Sequence, residues 1–143
     1  MSARDATAPA LSIERLTVRA DRLVCDVALA PGAPRRTTPQ LMERVRAAHP
    51  HVPRHACVND EGDTFAAVMD ATSLPHLLEH LVIDLQAQAA LNRDAVFVGT
   101  TEWTDEHAGR ARIEVSFIDD LIALRAFRDA IAFLNAEVVR LRP

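Results

Sequence analysis

Residues 74–86, LPHLLEHLVIDLQ, hold His76 and His80 four positions apart, with Glu79 immediately before the second histidine. On an α-helix, which turns about 100° per residue, His76, His80 and Asp84 lie on one face and Glu79 flanks them. Leu77, Leu78, Leu81, Val82 and Leu85 fill the opposite arc. Imidazoles at i and i+4 can clasp one Zn²⁺, and a carboxylate beside them can hold and deprotonate a zinc-bound water. His-x-x-Glu-His is the inverted zincin order, which makes His76 and His80 ligands and Glu79 the general base. The plainer reading is a solvated polar face. Against it, no Arg or Lys occurs between Ala71 and Asn92, whereas solvated helix faces usually mix both signs.

A catalytic zinc needs a third protein ligand and an open position. Cys57, in HAC, is the choice for that ligand, because thiolate and two imidazoles make a chemically sensible zinc set. Asp84 stays open as a ligand or as a carboxylate orienting an imidazole. His55, on the same side of its segment as Cys57, is a third option. The alternative for Cys57 is a buried, inert thiol.

These residues need elements to position them. Residues 11–30 alternate apolar and polar about the RADR break, which predicts a β-hairpin or two successive strands. Thr38 caps a helix from about Pro39 to Ala48, and HPHVPR excludes helix next to it. HACVN reads as short and β-like, residues 64–70 as a short helix. Ser73 caps the main helix, which tolerates Pro75 in its first turn and runs to about Leu91. AVFVG reads as a short strand, TTEWTDEHAGR as an exposed loop, ARIEVSFI as a strand, and residues 119–142 as an amphipathic helix with an acidic start and basic end. The expected class is α+β, an antiparallel or mixed sheet with helices packed mainly on one face. Residues 1–10 form a flexible tail and residues 11–143 a single domain. His49 and His51 read as plain surface residues, and His107 and Trp103 as residues of the exposed loop, where Trp103 covers substrate or anchors the loop. Arg110 and Arg112 read as a solvated strand end, and Glu114 points outward.

Bulk properties narrow the classes. A chain of 143 residues with 49% apolar and 25% charged residues can bury a core without staples. The net charge of −4, and the lack of a basic run of five or more, argue against nucleic-acid or anionic-membrane binding. All 16 basic residues are Arg, a bias that carries little functional weight. No apolar run approaches the ~18 residues of a membrane span, and the N-terminus lacks a signal-peptide core, so a cytoplasmic location is expected. Cys25 and Cys57 are then expected to be unpaired. Four glycines, none in a phosphate loop, exclude a Walker-type or dinucleotide site.

Taken with HPHVPRHACVNDEGDTF, the helix resembles the N-terminal domain of cyanophycin synthetases. That family shows Pro-x-Leu-x-x-His-x-Cys, a Phe ten residues after the His, then His-x-x-Glu-His-x-x-x-Glu-Leu-Gln. His55, Cys57 and Phe65 keep the first spacing; His76, Glu79, His80, Leu85 and Gln86 match the second, with Asp84 in place of Glu. The closing IEVSFIDDLIALRAFRDAIAFLN is similar to the family's last strand and helix, so the resemblance covers about residues 11–137. Asp63 and Thr64 stand where the family has Gly-Gly, and Glu102 where it has an Arg. No ATP-grasp or Mur-ligase-like segment follows, so the expectation is a stand-alone domain and not the ATP-dependent polymerase.

The resemblance implies a domain that holds cyanophycin, a polyaspartate bearing arginine on each side chain. It also implies, as in metallopeptidase-like members, internal cleavage of that polymer with His76 and His80 as ligands and Glu79 as base. The position of Cys57 matches the family; its ligand role is read from the residues. Three readings follow: a zinc-dependent peptidase on cyanophycin or a related arginine-bearing polypeptide; a non-catalytic module binding polymer or partner; and a structural zinc site closed by His55, Cys57, His76 and His80. A synthetase partner or a homo-oligomer stays open.

Overall fold

The computed structural model describes residues 9–57 and 59–142. Most of the expected tail, residues 1–8, and Val58 of HACVN lie outside the described residues. Strands β1 (Leu11–Val18), β2 (Arg22–Leu29), β3 (Gly99–Asp105) and β4 (Arg110–Ser116) form one antiparallel sheet in the order β1-β2-β4-β3. Among the described residues three α-helices accompany it: α1 (Pro39–Ala48), α2 (Leu74–Ala89) and α3 (Asp120–Arg140). The α+β class is as expected, and the sheet is wholly antiparallel.

Strand alternation sets the two faces of the sheet. Leu23, Cys25, Val27 and Leu29 of β2 and Ala111, Ile113 and Val115 of β4 point into the core. There α2 packs over β3 and β4, α3 over β1 and β2, and the two helices pack against each other. Phe127, Leu134, Leu74, Leu77, Leu78 and Leu81 complete this core. Each such Leu contributes about 1.5–3 kcal/mol by leaving water. Burial also pushes the Cys25 thiol up to about 12, with the Asp26 charge adding to it, so this cysteine is an inert core residue. Both cysteines are free thiols.

The other face of the sheet is polar. Arg112 binds Asp26 at 2.9 Å, Arg110 faces Glu14 at 3.4 Å, and Glu114 meets Arg22 at 3.5 Å. Exposed pairs of this kind contribute only about 0–1 kcal/mol. Among the described residues no helix is long and apolar enough to cross a membrane.

Two expectations about local structure need correction, and a third is met in part: in HACVN an isolated antiparallel bridge joins Ala56 to Thr64, with Phe65 N–H donating to His55 O at 2.9 Å, but no regular strand forms among the described residues. Residues 64–70 form no α-helix but two 3₁₀ turns, Phe65–Ala67 and Met69–Ala71. The third strand begins where AVFVG ends and runs through TTEWTD. Residues 95–97 lack a ladder partner because β4 stops at Ser116, whose N–H donates to Val98 O at 2.8 Å. TTEW reads as loop by apolar periodicity, since the inward Thr101 side chain, like the backbone of Gly99 before it, meets a carboxylate and not the greasy core.

Candidate metal centre

Helix α2 begins where the sequence marks it. Ser73 Oγ accepts from His76 N–H at 3.2 Å, Pro75 occupies the first turn, and Leu74 N–H donates to Arg35 O at 2.9 Å. Thr37 Oγ1 donates to Met69 O at 2.6 Å and accepts from Thr72 N–H at 2.9 Å, tying the preceding turn to the start of α1. The polar face of α2 is not solvated: Glu79, His80, Asp84 and Gln86 are buried along with the leucines. His76 is half-buried.

Cys57 reaches this face from a loop that folds back on itself. Asn59 Oδ1 accepts from the N–H groups of Glu61 and Gly62 at 2.9 and 2.8 Å, and Cys57 N–H donates to Asp63 O at 3.1 Å. Phe65 follows and arranges both imidazoles: its ring stacks on His80 at 4.2 Å and meets His76 edge-on at 5.1 Å.

Cys57, His76 and His80 thereby form a possible metal-binding group, with one ligand atom from each lying within 4.8 Å of the others. Cys57 Sγ is 3.5 Å from His76 Nε2. The opposite ring nitrogen of each histidine is engaged, His76 Nδ1 with Thr72 Oγ1 at 2.8 Å and His80 Nδ1 with His55 Nδ1 at 3.1 Å. When a histidine Nδ1 donates, its Nε2 is left as a lone pair suited to a metal. His80 Nε2 is the one fully buried side-chain nitrogen or oxygen without a hydrogen-bond partner among the described residues. An unsatisfied buried polar atom costs about 1–3 kcal/mol, so a bound cation satisfies an atom the fold otherwise leaves unpaired.

Neither alternative third ligand joins the group. Asp84 is occupied one turn further along: His49 Nδ1 donates to its Oδ2 at 2.7 Å, Gln88 Nε2 donates to the same oxygen at 2.6 Å, and His55 Nε2 faces its Oδ1 at 3.8 Å. Burial disfavours the Asp84 charge, but the hydrogen bonds and charges of His49 and His55 outweigh it and hold the carboxyl well below the usual range. That anion favours a proton on His55 Nε2, which leaves His55 Nδ1 to accept from His80 Nδ1–H. Asp84 and His55 thus act in series behind His80, the usual arrangement of a carboxylate that orients a ligating imidazole. Asp84→Asn is expected to weaken metal affinity about 10–100-fold in a metal titration; an unchanged affinity would contradict this role.

His49 was expected at the surface and is instead 8% exposed, its ring edge-on to Phe133 at 5.0 Å. Its partner lies 35 positions away, so no local pattern signals the contact. His51 and His107 are exposed, as expected, while Trp103 sits on β3 and lines the cleft.

Glu79 stands at the mouth of the group. Its Oε2 lies 3.7 Å from His80 Nε2, and Thr101 Oγ1 donates to its Oε1 at 2.7 Å. Burial pushes the Glu79 carboxyl up to about 7, against the Thr101 hydrogen bond and the nearby His55. Burial, with His76 and His55 adding to it, drives His80 down to about 3, and burial lowers His76 as well. In the metal-free chain these shifts carry opposite signs. The Glu79 contribution to stability is complete below about pH 4.5 and is lost as pH rises through about 7. The His80 contribution is complete above about 6.5 and is lost as pH falls toward 3. Denaturant midpoints of metal-free Glu79→Gln, relative to the parent, should therefore move in the variant's favour as pH rises from 4.5 through 7. A pH-independent difference would contradict the buried carboxyl.

Gly99 is what lets Glu79 sit there. A Cβ at this position would stand 2.9 Å from Glu79 Cγ and 3.0 Å from both Glu79 Oε2 and the Glu114 carbonyl oxygen. Its only sequence signal is a lone glycine at the start of a strand, a common mark of close approach. Gly99→Ala is expected to force the Glu79 carboxyl or the β4 backbone aside and to cost about 1–3 kcal/mol of stability in a denaturant titration. An unchanged midpoint would show that this approach is not tight.

The residues line a cleft of about 960 Å³ between α2, the Cys57 loop and β3. Fold and site together define an α+β domain with a three-donor candidate metal centre beside a buried carboxylate. The chain belongs to the cyanophycin synthase-like N-terminal domain family, whose sequence model matches residues 22–139. Among curated proteins and solved structures, none matches the chain.

Proposed function

We propose that this protein is a zinc-dependent hydrolase that cuts cyanophycin or a related arginine-bearing polypeptide. The observation that carries the reading is the unpartnered, buried His80 Nε2 set among Cys57, His76 and Glu79. A thiolate with two imidazoles suits zinc among the common divalent ions. Three donors, not four, fit a catalytic more than a structural site, because His55 is turned toward His80 Nδ1 and Asp84. Zinc held by Cys57, His76 and His80 would supply Lewis acidity, polarising a peptide carbonyl and acidifying water.

The chain's own groups supply the proton handling. Thr101 fixes Glu79 Oε1, so Oε2 is the oxygen left to take a proton from the attacking water and pass it to the departing amine. Burial disfavours the Glu79 charge in the metal-free chain, and a bound cation would favour it. Membership of the family supports the polymer as substrate. Elemental analysis of the purified protein, followed by incubation with cyanophycin and sizing of the products, tests the reading. About one zinc per chain and progressive shortening of the polymer are expected; a zinc-loaded protein inert toward cyanophycin and other arginine-bearing polypeptides would overturn it.

A further inference from the structure

The two margins of the sheet treat their outward backbone groups differently. Hydrogen bonding alternates along an antiparallel ladder, and the bond from Ser116 N–H to Val98 O fixes its phase beside the Gly99↔Val115 pair. Thr100 and Glu102 therefore bond to β4, whereas the N–H and C=O groups of Gly99, Thr101 and Trp103 turn away from the sheet. On the far margin, the bond from Ala30 N–H to Ala10 O likewise turns Leu11 outward. There the fold covers it: Asn135 of α3 accepts from Leu11 N–H and donates to Leu11 O, both at 2.9 Å. Beyond it β1 carries a bulge between Ile13 and Arg15 and the charged Glu14 and Arg15, the usual protections of an edge.

From Gly99 to Trp103 the β3 margin has no such cover among the described residues: no strand pairs with its outer side and no side chain bonds the outward groups of Gly99 or Thr101, while its own register shift lies beyond this stretch, between Trp103 and Asp105. It contains no proline. This open edge is also a wall of the metal cleft, and the two outward residues Gly99 and Thr101 are those whose inner sides touch Glu79.

We propose that β3 binds the polypeptide substrate as an added strand, pairing its backbone with Gly99, Thr101 and Trp103 so that a peptide bond lies against Glu79 and the Cys57/His76/His80 group. This rests on the hydrolase reading above. An extended segment rises about 3.4 Å per residue, so the stretch from Gly99 to Trp103 engages roughly four to five substrate residues. Main-chain pairing gives affinity without regard to side chain, and alternate substrate side chains then face α2 or run beside Thr100 and Glu102 on the open side. A polymer with one repeating side chain is well served by such a site, since every register presents the same backbone.

The test uses the full-length Glu79→Gln protein, which should hold substrate uncut, and a short synthetic aspartyl oligomer with arginine on each side chain. Residue-resolved amide exchange should slow at least tenfold at Gly99, Thr101 and Trp103 when the oligomer is added. Thr100 and Glu102, already bonded to β4, should not change. The backbone N-methylated oligomer should bind at least tenfold more weakly. Binding without protection at Gly99 and Thr101, equal binding of the methylated oligomer, or no binding of either would overturn the proposal. So would protection in the free protein that grows with its concentration, which would mark the edge as a contact between two copies of the chain. Protection by the oligomer in a protein that holds no zinc and cuts no polymer would leave the edge pairing standing and remove the hydrolase reading alone.

Discussion

Glu79→Gln is expected to abolish most turnover of cyanophycin, by about 10²–10⁴-fold, the range a positioned general base supplies, while zinc content and fold are retained. The amide is isosteric, still accepts from Thr101 Oγ1 through its oxygen, and still fits beneath Gly99. What it lacks is a basic oxygen at the place of Oε2, 3.7 Å from His80 Nε2. Single-turnover rates on polymer, with zinc quantified in the same samples, check the result. Turnover within a few-fold of the parent would remove Glu79 from the chemistry.

His80→Ala is expected to produce the largest loss of metal. The change deletes one of three donors and also the ring against which Phe65 stacks at 4.2 Å and to which His55 bonds at 3.1 Å. Zinc affinity should fall by more than about 100-fold, beyond the 10–100-fold typical of residues that only orient a ligand. The buried cavity also costs stability, so a second variant separates the effects. His80→Gln keeps most of the volume and a polar atom, and should lose metal to a similar degree with a smaller shift in denaturation midpoint. Metal affinity unchanged in His80→Gln would show that this imidazole is not a ligand.

The helix bearing the site was legible because 3.6-residue periodicity projects His76, Glu79 and His80 onto one edge whatever the rest of the chain does. Its cap, Ser73, and its proline were equally local signals, and so were the β1–β2 hairpin and the last strand and helix. Cys57 does lie beside His76 and His80. It is delivered by a loop pinned through Asn59 and not by a strand beside α2.

What escaped the sequence were contacts of long range. Asp84 and His49 are partners across 35 positions, and Thr101 and Glu79 across 22. The edge strand β3 was hidden for a related reason. An inner face made of Gly99, Thr101 and Trp103 carries little apolar alternation, because it borders a polar cleft. Residues whose patterning obeys the site and not the core are the ones that periodicity misreads.

The hydrolase reading depends on Cys57, His76 and His80 holding one divalent ion together. Titration of the metal-free protein with Co²⁺, a spectroscopic substitute for zinc, reports this directly. Saturation at one equivalent is expected, with tetrahedral ligand-field bands and a thiolate-to-cobalt charge-transfer band that Cys57→Ser removes. Weak octahedral bands without a thiolate signal, or no binding at all, would contradict the metal centre.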